Sequence, residues 1–372
     1  QLQHITYEGQ LSLKTQKVKD VIERIGHQNP DLVKPALGPK NPWAYRNKMQ
    51  MPVGGTKGDI LMGFYAMGSH DIVQGTNCPI QDEGNNIIAQ ACYQIAKELD
   101  VEPYDEHTGK GVLRHIIGRI GQSGWMVILV TATDNLPHQE KWVKNLTERV
   151  PQVETIVHNV NGKRTNVILG PKNRILYGDG TITDHIKDLR FTLSPHSFFQ
   201  VNPEQTTVLY DQALAYADLK GNETVIDAYC GTGTISLFLA HKAKHVIGIE
   251  IVEPAIINAR ENARRNGYDN TEFIVADAAV EMPKLYKAGV RPDVIVFDPI
   301  RAGCKEEVLT SAAGMEPKRI VYVSCNPATM ARDIEILTHY GYELQEVQPV
   351  DMFPMTAHVE AVALLTRNEA TQ

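Results

Sequence analysis

The chain has 372 residues, of which 42% are hydrophobic and 22% are charged, a composition typical of globular proteins with two or three domains. No apolar run is long enough to cross a membrane, and the sequence does not open on a signal peptide, which argues against an integral membrane protein. The five cysteines are odd in number and widely spread, which argues against a disulfide framework and for a reducing compartment. We therefore expect a cytoplasmic protein.

The net charge of −7 is unevenly distributed along the chain. Residues 1–190 carry 22 Lys and Arg against 20 Asp and Glu, whereas residues 191–372 carry 15 against 24. An acidic total usually argues against a polyanionic partner. The asymmetry nevertheless predicts that any nucleic-acid surface lies mainly in the N-terminal half.

The N-terminal half combines a helix, a proline-rich loop and short strands. Apolar residues recur at helical spacing between residues 5 and 26. Residues 41–48 interleave aromatic and basic side chains, which suits base stacking beside phosphate contacts. Taken alone, this stretch favours the alternative of a strand with core aromatics and solvated cations, because basic stretches are weak evidence for a partner.

Between Met49 and about Val160, short β-like runs mix with helical candidates. This mixture predicts an α+β domain with a largely antiparallel sheet. The strands are expected at 60–65, 111–121 and 126–131, and the helices at 86–99 and 138–149.

The C-terminal half begins with a helix start at Asn202-Pro203-Glu204, where Asn caps and Pro takes the first helical position. Strands and helices then alternate regularly, which predicts a parallel, doubly wound, Rossmann-like sheet. The last two strands, near 342–350 and 357–365, are joined by a short loop and should form an antiparallel hairpin at the sheet edge. The alternating strands are expected at 224–228, 245–250, 272–275, 294–297 and 319–324.

The fifth of these strands ends on a cysteine, because Val321-Tyr322-Val323-Ser324 runs into Cys325 and Pro327 opens the next helix. Ligands of open α/β sheets bind outside the carboxyl ends of the strands. Cys325 is therefore a candidate nucleophile. The alternative is a buried, inert cysteine.

The first strand of the same sheet leads into a glycine turn, Cys230-Gly231-Thr232-Gly233. Glycines let the backbone approach a bound cofactor closely. The dinucleotide fingerprint requires a third glycine three residues after Gly233, and Ser236 stands there instead. A nicotinamide dinucleotide is therefore not indicated.

Three acids follow successive strands: Glu250 ends the second, Asp277 follows the third and Asp298 follows the fourth. Solvated carboxylates would not track strand ends so regularly, so we interpret this edge as a cofactor site. The layout suits the cationic sulfonium of S-adenosylmethionine.

Four stretches together resemble the RNA 5-methyluridine methyltransferases, in the branch that modifies 23S ribosomal RNA. The opening Gln1-Leu2-Gln3-His4 is also similar to that branch, so the likeness covers essentially the whole chain. The stretches are Ser197–Pro203, Asp227–Gly233, Ser324–Thr329 and Asp351–Glu360.

This resemblance implies an RNA (uracil-5-)-methyltransferase with Cys325 as nucleophile and Glu360 as the base that removes a proton from uracil. It implies S-adenosylmethionine contacts from Gln200, Tyr229, Glu250 and Asp298, with Asp298 also near the uracil edge and Asp277 on the adenine side. Gly231, in the glycine turn, completes the expected cofactor-binding set.

The reaction itself requires these residue types. A thiolate that adds to carbon 6 of uracil makes carbon 5 able to attack a sulfonium methyl group, and a base must then remove the carbon 5 proton. The sheet edge and the opening of the next helix are expected to lower the pKa of Cys325. Glu360 reaches the site only if the final hairpin folds beside the fifth strand; without the resemblance it would be interpreted as a surface carboxylate.

The expected substrate is ribosomal RNA with the target uridine flipped out of its stack, at a cost of a few kcal/mol that other RNA contacts offset. We expect no membrane partner and a monomer. The candidate RNA contacts are Trp43, Tyr45, Arg46, Lys48, Arg114 and Arg119.

Two departures from the family pattern concern a metal cluster and one loop residue. Relatives carry an N-terminal oligonucleotide-binding domain and three cysteines just before the stretch matching Gln1, which hold an iron–sulfur cluster with a fourth that matches Cys78. None of the three is present, so Cys78 is an orphan ligand and neither a complete cluster nor another metal is expected. Because the first residue is Gln1, we expect the chain to be part of a longer protein. Ile300 stands where many relatives have proline, with Asp298 and Arg301 retained.

The expected domains are a helical segment at 1–34 packed on the methyltransferase domain, a central α+β RNA-recognition domain at 35–190, and a Rossmann-like catalytic domain at 191–372. Three alternatives remain open: a 5-methylcytidine enzyme, which would require a cysteine in Asp298-Pro299-Ile300-Arg301; the same reaction on transfer RNA; and an RNA-binding folding factor without turnover.

Overall fold

The computed structural model describes residues 1–368, and the chain divides into two units. One unit, here called the terminal unit, consists of Gln1–Pro42 and the chain from Asn202 onward; the other, the central unit, is Trp43–Val201. The divisions fall after residues 42 and 201, later in the chain than the expected boundaries after 34 and 190.

The central unit is built on a seven-stranded sheet of order β3-β2-β1-β4-β5-β6-β7, with a separate hairpin of β8 and β9. Every neighbouring pair is antiparallel except β5 and β6, which α3 connects by a crossover. This confirms the predicted α+β class and its largely antiparallel sheet. The elements are β1 Lys48–Thr56, β2 Asp59–Tyr65, β3 Ile72–Gln74, α2 Glu83–Glu98, β4 Leu113–Ile120, β5 Trp125–Thr131, α3 Gln139–Arg149, β6 Val153–Val160, β7 Lys172–Tyr177, β8 Ile182–Ile186 and β9 Leu189–Leu193.

The core of the central unit lies between this sheet and its two helices. Ile88, Cys92 and Ile95 recur at helical spacing on α2 and are fully buried, as is Trp142 on α3. Only β2, β4 and β5 of this sheet were predicted; β1, β3 and β6 to β9 were not among the predicted elements. Strand β7 has no buried residue, so its apolar alternation is too weak to distinguish a strand from a loop.

The terminal unit contains the predicted doubly wound sheet, of order β12-β11-β10-β13-β14-β16-β15. The first five strands of this order pair in parallel, and β16 pairs antiparallel with both β14 and β15. The predicted fold class, with its final hairpin, is therefore confirmed. The elements are α1 Tyr7–Arg24, a 3₁₀ turn Pro30–Leu32, α4 Pro203–Ala217, β10 Thr224–Asp227, α5 Thr234–Ala240, β11 His245–Glu250, α6 Glu253–Arg265, β12 Thr271–Val275, α7 Ala278–Lys287, β13 Val294–Phe297, α8 Glu306–Gly314, β14 Arg319–Ser324, α9 Pro327–His339, β15 Tyr342–Val350 and β16 Glu360–Arg367.

Strand β14 lies at the centre of the core of this unit. Ile320 and Val321 are fully buried, because helices cover both faces of the parallel part of the sheet. Helix α1, far away in sequence, joins the same core through Val18 and Ile22, which belong to one cluster with Ile334 of α9. The N-terminal helix is thus a component of the terminal unit.

Strand β16 begins at Glu360, three residues later than expected. The preceding residues form a loop that α1 holds in place. Lys14 donates to the Asp351 carboxylate and to the Phe353 carbonyl, and Gln10 accepts from the Met355 backbone N–H. These bonds to helix side chains replace the strand pairing that the sequence pattern suggested.

Candidate active site

Cys325 is the first residue after β14 and lies in a tightly fixed turn. The Ser324 hydroxyl accepts from the Asn326 N–H, and the Asn326 side chain caps α9 by accepting from the Ala328 N–H. Pro327 takes the first helical position, as predicted. Cys325 itself is half-buried at the carboxyl end of the strand.

Glu360 lies beside Cys325 because of the strand register. In the antiparallel pairing of β14 with β16, Ser324 is the partner of Ala361. Extending this register by one residue places Glu360 opposite Cys325. The glutamate is only 4% exposed, so it is not the surface carboxylate that its position in the sequence alone would suggest.

Asp298 completes an acidic cluster at this edge of the sheet. It follows β13, which pairs in parallel with β14 through Phe297 and Tyr322. Burial raises the pKa of Glu360 to about 7. Burial, and then the charges of Glu360 and Asp227, raise the pKa of Asp298 well above its ordinary value.

The pKa of Cys325 moves in the direction opposite to the one expected from the sequence. Burial is the largest cause, the nearby Glu360 and Asp298 raise the pKa further, and Arg301 lowers it by less. The expectation of a lowered pKa was therefore wrong. The reason is that two carboxyl groups and desolvation outweigh the favourable position at a helix N-terminus.

The loop after Asp298 is tied to the first two turns of α9. The Arg301 carbonyl accepts from the Asn326 side chain and the Thr329 hydroxyl. The Cys304 N–H donates to the buried Asp333 carboxylate. Asp333 and Thr329 were not predicted as site residues, and their helical positions carry no signal of this role.

On the cofactor side, the two glycines of the turn after β10 have different roles. Both have positive φ, +52° at Gly231 and +81° at Gly233. A Cβ at Gly231 would meet no heavy atom within 4 Å, whereas one at Gly233 would press on Ala259 and Phe273. Gly231 therefore faces open space in front of the turn, and Gly233 permits the packing behind it.

Glu250, at the end of β11, is held against this turn. Its carboxylate accepts from the backbone N–H groups of Gly231 at 3.2 Å and of Val252 at 2.9 Å. The neighbouring Ile251 and Val252 are apolar yet 63% and 51% exposed. Open space, a fixed acid that can accept ribose hydroxyls, and apolar side chains for an adenine face fit S-adenosylmethionine.

Ser236, which stands where the dinucleotide fingerprint has glycine, supports the same turn. Its hydroxyl donates to the fully buried Asp227 at 2.6 Å. Tyr229 lies two residues beyond Asp227 and is half-buried.

Two of the expected cofactor residues differ from the others: Asp277 caps a helix, and Gln200 belongs to the central unit. Asp277 follows β12, where its carboxylate caps α7 by accepting from the Ala279 N–H and pairs with Lys305 at 3.0 Å. Gln200 belongs to the central unit and precedes its last residue, Val201. The terminal unit alone therefore brings together every predicted site residue except Gln200, and the Asp277 carboxylate already has protein partners.

Three of the expected RNA contacts are buried in the central unit: Arg114, Arg119 and Tyr45. Arg114 donates to the carbonyls of Asn161 and Lys163 and lies over the ring of Tyr104. Arg119 likewise donates to two backbone carbonyls. Their side chains are therefore not expected to contact RNA directly.

Cys78 is half-buried in the central unit. Among residues 1–368, no group of three or more His, Cys, Asp or Glu is arranged to hold a metal ion. In the same range no helix is both long and apolar enough to cross a bilayer.

A separate surface groove of about 670 Å³ lies beside Arg260, Tyr268 and Phe273, between α6 and β12, and none of the predicted site residues lines it.

The acidic, glycine-bearing edge of a doubly wound sheet defines an S-adenosylmethionine-dependent methyltransferase. A family model described as tRNA (Uracil-5-)-methyltransferase matches residues 139–368. An uncharacterised RNA methyltransferase of Bacillus cereus is 52% identical over 99% of this chain and 81% of its own length. Another, of Halalkalibacterium halodurans, is 52% identical over 98% of this chain and 80% of its own length.

A solved structure is similar over almost the whole chain. It is the tRNA (uracil-54, C5)-methyltransferase of Pyrococcus abyssi in complex with S-adenosyl-L-homocysteine, with a TM-score of 0.81 and 28% identity over 98% of this chain and 85% of that one. The chain thus belongs to the RNA uracil-5-methyltransferase family. It is an RNA (uracil-5-)-methyltransferase that uses S-adenosylmethionine.

Proposed function

We propose that this enzyme methylates carbon 5 of specific uridines in 23S ribosomal RNA through a covalent adduct between Cys325 and the uracil. The observation that supports the proposal is the pairing of Ser324 with Ala361, since continuing this register by one residue sets Glu360 beside Cys325 at the carboxyl edge of the sheet. A nucleophile and a base beside one another are what addition to carbon 6 and removal of the carbon 5 proton require.

Cys325 acts as the nucleophile in this mechanism. Its thiolate adds to carbon 6 of the uracil, and the electron pair of the carbon 5–carbon 6 bond becomes available at carbon 5. S-adenosylmethionine, when bound, would supply the methyl group for carbon 5 and would leave as S-adenosylhomocysteine. Because burial and two carboxyl groups raise the pKa of the thiol, Cys325 must release its proton to solvent before its thiolate adds to carbon 6.

Glu360 acts as the base. Its pKa of about 7 leaves a substantial carboxylate fraction at neutral pH while keeping the group basic enough to accept the carbon 5 proton. Loss of that proton restores the carbon 5–carbon 6 double bond and expels the Cys325 thiolate.

The remaining predicted residues hold the cofactor and orient the base. Glu250, fixed by two backbone N–H groups, binds the ribose hydroxyls, and Gly231 gives the cofactor room. Tyr229, Asp277 and Gln200 are proposed as further cofactor contacts. Asp298, raised in pKa beside Glu360, is proposed to lie between the methyl donor and the uracil edge.

The ribosomal substrate rests on the likeness of the four sequence stretches and of Gln1–His4 to the ribosomal branch. Transfer RNA is the second candidate, because the matching family model and the Pyrococcus abyssi enzyme both carry transfer RNA in their descriptions. Either substrate uses the same chemistry at Cys325. In either case the target uridine must leave its stack to reach the site.

The test uses labelled S-adenosylmethionine with in vitro transcripts of 23S ribosomal RNA and of transfer RNA, in the presence of wild-type enzyme or the Cys325→Ala variant. We expect 5-methyluridine in the ribosomal transcript, no label in the transfer RNA, and no turnover by the variant. Cys92→Ala is the matched control, since Cys92 is fully buried in the other unit. Label on cytidine, or equal turnover by Cys325→Ala, would overturn the mechanism; label on transfer RNA alone would overturn the substrate.

A 5-fluorouridine-containing transcript provides a second readout. Fluorine at carbon 5 cannot leave as a proton does, so the adduct on Cys325 should persist and appear as a protein–RNA species of reduced mobility. Peptide mapping of that species identifies both the cysteine and the uridine.

A further inference from the structure

The central unit contains a cluster of cations that form no ion pair with any carboxylate of the described chain. Lys48 of β1 and Arg119 of β4 are direct cross-strand partners in the antiparallel pairing of these two strands. Like charges placed directly opposite each other destabilise a sheet. Arg46, two residues before Lys48, adds a third cation, and its Nε donates to the Lys48 carbonyl at 3.1 Å.

A fourth basic group is held close to this pair by Arg119 itself. Arg119 is 4% exposed and donates through its guanidinium to the carbonyls of Pro195 and Ser197. These two carbonyls flank His196, whose side chain is exposed. After burial, the charges of Arg119 and Lys48 are the next largest causes that lower the pKa of His196, as expected for cations near an imidazole.

The largest electrostatic effects on Lys48 come from burial and from neighbouring cations. Burial, then Arg119 and then Arg46 lower the pKa of Lys48 to about 7. Burial also lowers the pKa of Arg119 to about 10. Throughout the described residues 1–368, none of the four basic side chains forms an ion pair with a carboxylate.

Such an arrangement is costly unless an anion completes it. Desolvated cations that face one another without a carboxylate lower the stability of the folded protein. A tetrahedral anion with several acceptor oxygens would satisfy donors that come from one strand and a neighbouring loop. Because the substrate of this family is RNA, the available anion is a backbone phosphate.

We propose that Arg46, Lys48 and His196 bind a phosphate of the RNA backbone, with buried Arg119 holding the loop and adding charge. This assignment rests on RNA being the substrate, as in the proposed function, and deepens it by locating one backbone contact. His196 lies four residues before Gln200, a proposed cofactor contact. A phosphate bound by His196 would therefore restrain the segment that carries Gln200.

The test measures binding of a uridine-containing RNA stem–loop by fluorescence anisotropy, without cofactor and over a range of salt concentrations. Lys48→Met should weaken binding about tenfold and reduce the slope of log K against log salt by about 0.7–0.9, the value for one phosphate contact. Lys48→Arg should retain binding. The matched control is Lys144→Met in the same unit, since Lys144 is 73% exposed on α3 and should change neither affinity nor slope.

Thermal unfolding of the RNA-free protein separates a binding role from a structural one. Replacing Lys48 relieves its repulsion with Arg119 and Arg46, so Lys48→Met should raise the melting temperature by about 2–4 °C. If Lys48 is structural, Lys48→Met should instead lower both the melting temperature and the RNA affinity, and this result would overturn the proposal. The proposal would also be overturned if Lys48→Met had the same affinity and salt slope as Lys144→Met.

Two further outcomes keep this inference distinguishable from the proposed function. If RNA binding depends on Lys48 but the wild type transfers no methyl group to RNA, the phosphate site stands and the proposed function fails. If methyl transfer is normal and Lys48→Met binds RNA like the wild type, the phosphate site fails. If inorganic phosphate raises the melting temperature while RNA affinity ignores the substitution, the site holds a free anion and the RNA assignment is overturned.

Discussion

Glu360 and Cys325 are brought together by strand pairing, one residue beyond the Ser324–Ala361 pair of β14 and β16. They are 35 residues apart in sequence, and the connection runs through α9 and the edge strand β15 before β16 returns to pair with β14. The hairpin therefore places its first residue, Glu360, at the same edge of the sheet where the parallel strands end. This relationship determines most of the expected behaviour of the site.

Replacing the proposed base should stop the reaction after addition. We expect Glu360→Gln to accumulate a covalent protein–RNA adduct in the presence of S-adenosylmethionine, because the carbon 5 proton can no longer be removed and Cys325 cannot be expelled. Denaturing gel electrophoresis with labelled RNA measures the adduct. Glu335→Gln, a partly exposed acid on α9 that pairs with His27, should turn over like the wild type. Full turnover by Glu360→Gln would contradict the assignment of the base.

The same substitution should make the thiol more acidic. Glu360 raises the pKa of Cys325, so an uncharged amide in its place should lower that pKa. The rate of alkylation of Cys325 by iodoacetamide as a function of pH, followed by mass spectrometry, reports the thiolate fraction. The alkylation curve of Glu360→Gln should lie at lower pH than that of the wild type. Coincident curves would show that the two groups do not interact.

Glu360 should also make stability depend on pH. Its pKa is about 7 in the folded protein and roughly 4.3 in an unfolded chain, so the folded state binds the proton more tightly. Stability should fall as pH rises between these two values, and the full cost is present above pH 7. Glu360→Gln removes this cost and should raise the free energy of unfolding by on the order of 3 kcal/mol at pH 8.

Near pH 4.5 the wild type and Glu360→Gln should differ little, because Glu360 is largely protonated in the folded state. Urea denaturation at the two pH values provides the comparison. An equal gain at both would mean that the amide packs better than the acid, and would argue against the raised pKa.

The ion pair between Lys14 and Asp351 should add little net stability, but removing only one of its partners should be strongly destabilising. Both groups are at most 2% exposed, and burial is the largest effect on each, lowering the pKa of Lys14 and raising that of Asp351. Lys14→Met alone leaves Asp351 buried without its cation and should cost about 3–5 kcal/mol. The double variant Lys14→Met, Asp351→Leu should recover most of that loss, as measured by urea denaturation.

Activity provides the second readout for this pair. Lys14 and Gln10 hold the loop that leads into Glu360. The double variant should therefore remain less active than its stability predicts, because the loop has lost its anchor. Wild-type activity in a stable double variant would show that strand pairing alone positions Glu360.

Much of the terminal unit could be predicted from its sequence. The alternation of β-branched runs with capped helices identified strands β10 to β14 and the helices between them, because parallel strands buried on both faces are continuously apolar. The residues at strand ends followed from this alternation. The position of Cys325 and of the three acids along one edge is a direct consequence.

The central unit was less predictable at the level of individual side chains. The sequence of residues 41–48 and the arginines of β4 would look the same whether these side chains contact solvent, RNA or protein. Only packing distinguishes Arg114, which is buried against two carbonyls and a ring, from Lys48, whose nearest charged neighbours are Arg119 and Arg46. Sequence spacing also could not show that Lys48 and Arg119, 71 residues apart, are cross-strand neighbours.

The sequence by itself determined the sheet, the carboxyl edge and the identity of a strand-end cysteine, since these depend on local patterns of apolar residues, caps and glycines. The tertiary structure decided how the groups on that edge behave. Return of β16 beside β14 converts a late glutamate into a buried neighbour of Cys325. Desolvation raises the pKa of both groups, and charge repulsion from the carboxyl groups raises that of Cys325 further. Such effects depend on distance in space and on exclusion of water, neither of which the order of residues specifies.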